Sequence, residues 1–105
     1  MKLSTETLNI LKSFSAINNG IEFKQSNKLK TISPSRALLA EVTLKDTFPD
    51  SFCVEDLNNF LSVYSLPWFG EKTELVFDDK HIIFKSGNKK TKFRKTDRTA
   101  VVVPP

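Results

Sequence analysis

His81 is the single histidine of the chain and Cys53 its single cysteine, so the side chains best suited to act as base, nucleophile or metal ligand occur once each. His81 lies in an alternating segment with no Cys, Asp or Glu at metal-ligand spacing, which reads as a surface or edge imidazole. Cys53 stands between Phe52 and Val54 with no partner for nucleophilic catalysis, and its neighbours favour a small buried side chain. Being alone, it forms no internal disulfide, in keeping with a reducing compartment. Asp78 and Asp79 would suit magnesium, but Asp-Asp-Lys between two alternating runs is a turn tip first. Three glycines in all, and no G-x-x-x-x-G-K-[ST] run, give no loop to cradle a phosphate. The residues predict no enzyme, no bound metal and no cofactor.

Charge is the remaining candidate. In a chain of 105 residues and net charge +4, residues 85–98 hold Lys85, Lys89, Lys90, Lys92, Arg94, Lys95 and Arg98 against Asp97 alone. That window carries +6, which leaves the rest of the chain at −2. A localised basic segment attracts polyanions, whereas lysines on solvated strands also discourage edge pairing. Both readings stand at this point.

The elements that must position these residues follow from periodicity. Ser4 or Thr5 suits an N-cap and Glu6 the first turn of a helix over residues 4–17. Leu8, Ile10, Leu11, Phe14 and Ile17 fall on one side of it, and Asn18-Asn19-Gly20 ends it. Residues 21–25 and 28–32 alternate about Ser26-Asn27, which predicts a hairpin. A strand follows at 36–44, then a loop at 46–50 and a short strand at 52–54. A second helix spans 55–66, with Asp56 in its first turn and Pro67 closing it. Pro67-Trp68-Phe69-Gly70 reads as an apolar knuckle over the core. Strands are predicted at 73–77, 81–85 and 89–95, with a fourth at 99–103.

Leu8-Asn9 and Ser13 can be laid on Leu57-Asn58 and Ser62, 49 positions on. The chain therefore reads as a pseudo-two-fold helix-plus-strands repeat in one domain. The class is α+β, with two helices packed on one face of a mostly antiparallel sheet. Its 39% hydrophobic and 27% charged residues are ordinary for a folded domain. Apolar runs stop far short of the roughly 20 residues that span a bilayer, and the first residues lack a secretory signal's apolar stretch, so a cytoplasmic protein is expected.

Met1-Lys2-Leu3-Ser4, Leu11-Lys12-Ser13-Phe14 through Ile17-Asn18-Asn19-Gly20-Ile21, Ala40-Glu41, and Asp56-Leu57-Asn58-Asn59-Phe60-Leu61 with Ser65-Leu66 together resemble the DNA polymerase sliding clamps of T-even-type bacteriophages. The likeness returns weakly at Thr99-Ala100-Val101-Val102. The resemblance implies a DNA-clamp-type domain, with helices lining a hole and sheets outside. It implies a processivity factor that encircles duplex DNA in the cytoplasm of the host bacterial cell, tethers the replicative polymerase and is placed on DNA by a clamp loader. Subunits of that family carry two such domains and close a homo-oligomeric ring. On that pattern residues 1–98 form the N-terminal domain, and 99–105 a final edge strand and the start of the interdomain connector. The alternative is a one-domain subunit that closes a ring by greater oligomerisation.

If the helices line a channel, Asn9, Lys12, Ser13, Asn58, Ser62 and Ser65 face DNA, meeting phosphates without reading sequence. Two edges are candidates for contact between domains or subunits: one around Ala37, Leu39 and Glu41, the other at Ala100, Val101 and Val102. Alternation about Phe93 and Thr91 sends Lys90, Lys92 and Arg94 to an outer basic patch. The rival reading is a small stand-alone nucleic-acid-binding β module using residues 85–98, with Phe84 and Phe93 stacking on single strands. A structural subunit with no nucleic-acid role is a second rival.

Overall fold

In the computed structural model, which describes residues 1–66, 69 and 72–104, the first helix begins where a hydroxyl can satisfy its free N–H groups. Ser4 is the N-cap of α1 (Thr5–Ile17), its Oγ accepting from the Thr7 N–H at 3.2 Å. Asp46 reinforces this end from a distant loop: its Oδ2 accepts from the Ser4 N–H at 2.9 Å, the Ser4 hydroxyl at 3.0 Å and the Thr7 hydroxyl at 2.7 Å. Thr7, Leu11 and Phe14 are buried, with Leu8, Ile10 and Ile17 partly covered beside them.

The second helix is shorter than its periodicity predicts. It comprises α2 (Leu57–Ser62), capped by Asp56, and a 3₁₀ turn, Val63–Ser65. The hydroxyls of Ser62 and Ser65 donate to the carbonyls of Asn59 and Ser62 at 2.6 and 2.7 Å. Such back-bonding competes with the helical ladder and tightens the last turn. Pro67, Trp68 and Gly70 of the expected knuckle lie outside the described residues; Phe69 is buried.

Among the described residues there are seven strands: β1 (Ile21–Phe23), β2 (Lys28–Ile32), β3 (Leu39–Thr43), β4 (Phe52–Val54), β5 (Glu74–Phe77), β6 (His81–Ser86) and β7 (Lys89–Arg94). All strand pairing among the described residues is antiparallel, so the architecture is α+β. The sheet is divided into three sections: β1 with β4, β2 with β3, and β5-β6-β7.

Two expectations change here. Residues 21–25 and 28–32 do not form a hairpin, because β1 pairs with β4, matching Ile21 to Val54 and Phe23 to Phe52. This choice stacks the Phe23 and Phe52 rings at 4.6 Å and sets Phe48 4.8 Å from Phe23. Residues 99–103 are not a strand. Arg98–Ala100 is a 3₁₀ turn, and the following valines run back over the end of α1. In addition, β3 starts at Leu39 because Arg36 takes φ 64°, in a turn closed by Ser33 N–H to Leu38 C=O at 2.8 Å.

One core serves both repeats. The rings of Phe48, Phe23, Phe60, Phe84 and Tyr64 follow one another at centroid distances of 4.8, 6.2, 5.3 and 5.5 Å. Leu11 and Leu57 bring the two helices onto this spine, and Leu29, Leu75 and Ile82 bring the strands. Among the described residues no helix is long and apolar enough to cross a membrane.

Candidate functional site

The surface opposite the sheets is built from the polar sides of α1 and α2, which pack against each other. Asn19 sets their relation. Its carbonyl accepts from the Leu57 N–H at 2.7 Å and its side-chain Oδ1 from the Asn58 N–H at 2.9 Å, while its Nδ2 donates to Asp56 Oδ1 at 3.0 Å. A residue that ends the first helix thereby satisfies the first turn of the second. Sequence reading saw Asn19 only as a helix stop; its equivalent duty across the repeat needs the third dimension.

Asn9, Lys12, Ser13, Asn58, Ser62 and Ser65 are all exposed. The Ser13 hydroxyl donates to the Asn9 carbonyl at 3.2 Å, and those of Ser62 and Ser65 to helical carbonyls as described. Each hydroxyl oxygen keeps acceptor capacity, so these residues offer short, neutral hydrogen-bonding groups. Lys12 is the one cation within residues 5–17 and 55–66. Glu6 is paired with Lys45 at 3.2 Å. Asp56 has its carboxyl held below the ordinary carboxylate range by hydrogen bonds from the Asn59 N–H and the Asn19 amide. The surface is close to neutral, with a slight acidic margin.

The other singled-out residues are scattered. Leu39 and Glu41 are exposed on β3, whose strand partner among the described residues is β2, with Glu41 3.5 Å from Lys30. Ala37 lies in the preceding turn. Ala100 is exposed, but Val101 and Val102 are half-buried. The Val102 carbonyl accepts from Asn18 Nδ2 at 3.2 Å, and Val101 lies over Gly20, where a Cβ would come 2.9 Å from its Cγ1. This segment is tied to its own domain and does not form a strand.

Lys90, Lys92 and Arg94 are exposed on β7, while Phe93 turns inward to meet Phe60 edge-on at 5.5 Å. Phe84 is 0% exposed. Both rings that the rival single-strand module needs for stacking are thus used by the core. Lys95 also leaves the basic window as a structural cation. Its side chain is 12% exposed, reaches the Asp78 carbonyl at 2.6 Å and Asp50 at 3.3 Å, and lies over the Phe52 and Phe77 rings. Arg98 similarly pairs with Glu22 at 2.6 Å.

The candidate chemical groups are engaged locally. Burial pushes the Cys53 thiol up from its usual range, which disfavours the thiolate. Asp78 accepts from the N–H groups of Lys80 and His81, which hold its carboxyl down. His81 Nδ1 lies 3.7 Å from the same carboxylate. These are the contacts of a turn.

No family model matches the chain. The sliding clamp of Vibrio phage KVP40 is 34% identical over 83 residues, covering 79% of this chain and 36% of that protein. The sliding clamp of Escherichia phage RB69 is 39% identical over 66 residues, 63% of this chain and 29% of its own length. That of Enterobacteria phage T4 is 36% identical over the same number of residues, with the same shares. The chain thus spans between 29% and 36% of the length of these curated relatives. With two helices over antiparallel strands in one α+β domain, and with identity of this extent, the chain is a relative of the sliding clamps of T-even-type bacteriophages and corresponds to a part of one.

Proposed function

We propose that the chain works as a domain of a DNA polymerase processivity factor, with its helix side toward duplex DNA and its sheets outward. The observation that carries this reading is the Asn19 bridge, which sets two exposed, largely neutral helix faces side by side, together with identity to sliding clamps. Asn9, Ser13, Asn58, Ser62 and Ser65 would contact phosphates directly or through water, and Lys12 would supply the attraction. Contacts of this kind carry no sequence information, which suits a ring that must move along DNA. The polymerase and a clamp loader are the partners this role requires.

Ring closure needs open edges. We assign one to β3, where Leu39 and Glu41 are exposed, as the contact for a following domain. Since residues 99–103 fold back, we assign the second edge to β7, one of the two outer strands of the three-stranded section. Residues 1–98 remain the proposed domain and 99–105 the start of its connector.

The test compares retention on nicked circular and linear duplex DNA, using the longest protein the reading frame encodes together with a phage clamp loader and ATP. Retention on circles, release on linearisation and reduced loading by Lys12→Glu are the expected results. Equal retention on linear DNA with free ends would show contact binding without encirclement and overturn the reading.

A further inference from the structure

The outward face of β5-β6-β7 carries an excess of positive charge. Register sets Val76 beside Ile83 and Ile83 beside Lys92, Lys85 beside Lys90, and His81 beside Arg94. Their alternating neighbours Leu75, Ile82, Phe84 and Phe93 turn to the core, so this set points away from the helices. Lys85, Lys90, Lys92 and Arg94 are exposed, and none makes an ion pair with a described residue. Lys85 and Lys90 stand directly opposite each other, an arrangement that destabilises a sheet. The nearby acids are shared: Glu74, opposite Lys85 in the register, pairs with the N-terminal ammonium at 2.7 Å, and Asp78, which also feels the charge of Lys92, accepts from the N–H groups of its own turn.

Edge protection accounts for lysines on β7 but not for Lys85, which lies on the central strand. Nor does it account for an aliphatic centre among the cations, where Val76 is 36% exposed and Ile83 half-covered. We propose that this face docks an acidic polypeptide segment, with carboxylates on Lys85, Lys90, Lys92 and Arg94 and one aliphatic side chain over Val76 and Ile83. Alternate residues on a strand recur about every 6.8 Å, so an extended partner with acids at every second position matches the row Lys90, Lys92, Arg94 without strain. A nucleic acid would find the cations and the half-exposed His81 imidazole, but it would have no use for the aliphatic centre. The proposal does not depend on the clamp reading, since it uses the side of the domain away from the helices.

The probe is a fluorescein-labelled peptide in which Glu alternates with Ser around one central Leu, with a Leu-to-Ser peptide and a duplex DNA as comparators, read by anisotropy at low salt. The expected result is binding of the Leu peptide that Lys90→Glu with Lys92→Glu weakens about tenfold, as two exposed ion pairs would. Val76→Thr should weaken the Leu peptide several-fold and leave the Ser peptide unchanged. Thermal unfolding of each variant checks that it is folded. Absence of peptide binding, identical effects of Val76→Thr on both peptides, or tighter binding of duplex DNA to this face than of the Leu peptide would each overturn the proposal.

Discussion

Replacing Asn18 by Ala tests how the domain ties down its C-terminal segment. Asn18 is 8% exposed and its side chain serves three groups. Nδ2 donates to the Ile32 carbonyl at 2.9 Å and to the Val102 carbonyl at 3.2 Å, while Oδ1 accepts from the Gly20 N–H at 2.9 Å. Truncation strands the Ile32 carbonyl and the Gly20 N–H, whose bonds are buried, whereas the Val102 carbonyl lies near enough to the surface to take water. Each buried orphan costs about 1–3 kcal/mol, so with some relaxation the variant should lose about 2–4 kcal/mol. A domain of this size holds about 5–15 kcal/mol in total, which makes the loss large. Urea unfolding should show a lowered midpoint with an unchanged slope. In a chain ending at Ala100 the same substitution should cost less, because one of its three partners is already gone. An Asn18→Ala variant within about 0.5 kcal/mol of the parent would refute the argument.

Asp46→Asn should destabilise by about 1–2 kcal/mol at neutral pH. Burial pushes the Asp46 carboxyl up, but hydrogen bonds from Ser4 and Thr7 outweigh it and hold the carboxyl below its usual range. The folded pKa being the lower one, the stabilisation is present above about pH 4 and fades as pH falls through the folded value; a parent-to-variant gap equal at pH 7 and in strong acid would contradict this. Thr31 Oγ1 is buried without a partner among the described residues, so Thr31→Val should stabilise by about 1 kcal/mol, or about 4–8 °C in a thermal scan; a lowered midpoint would refute it. Gly20→Ala forces a Cβ within 2.9 Å of Val101 Cγ1 and should cost about 1–3 kcal/mol. Most of that loss should be recovered in a Val101→Ala background, and an additive double variant would show that the strain lies elsewhere.

The helices were legible because their periodicity and the Ser4 cap are local: Leu11, Phe14, Leu57 and Phe60 recur on the buried sides, although Asp56, read as a first-turn residue, is the N-cap of α2. The three-strand section was legible for a similar reason, since its turns are short. Gly87 and Asn88 close β6 onto β7 with Gly87 at φ 60°. Partner choice for β1 was not. Alternation says which side chains turn inward but not which strand lies alongside, and that choice rests on Phe23 meeting Phe52 across many intervening residues. Residues 99–103 misled because valine propensity reports a fit to a half-buried surface rather than a strand as such; here that surface is Gly20 and Asn18. The exposed helix residues could be named from sequence, but the Asn19 bridge that aligns them could not.

Where the charge sits decides what each face can contribute. The helix side presents Lys12 alone, and each neutralised phosphate changes the logarithmic salt slope by about 0.9. A domain touching DNA there gains little affinity from counterion release, so long residence would have to come from closure around the duplex. The cations of β6 and β7 do not repair this deficit. The shortest dimension of the domain is 22 Å, more than two screening lengths at physiological salt, about 8 Å each. Their potential is therefore largely spent in the solvent on their own side of the sheet. The two faces are electrically almost independent, and an acidic segment bound to Lys85, Lys90 and Lys92 would neither displace nor recruit a duplex lying along Lys12. A domain arranged this way can carry a partner on its outside while its inside remains weakly interacting and free to slide.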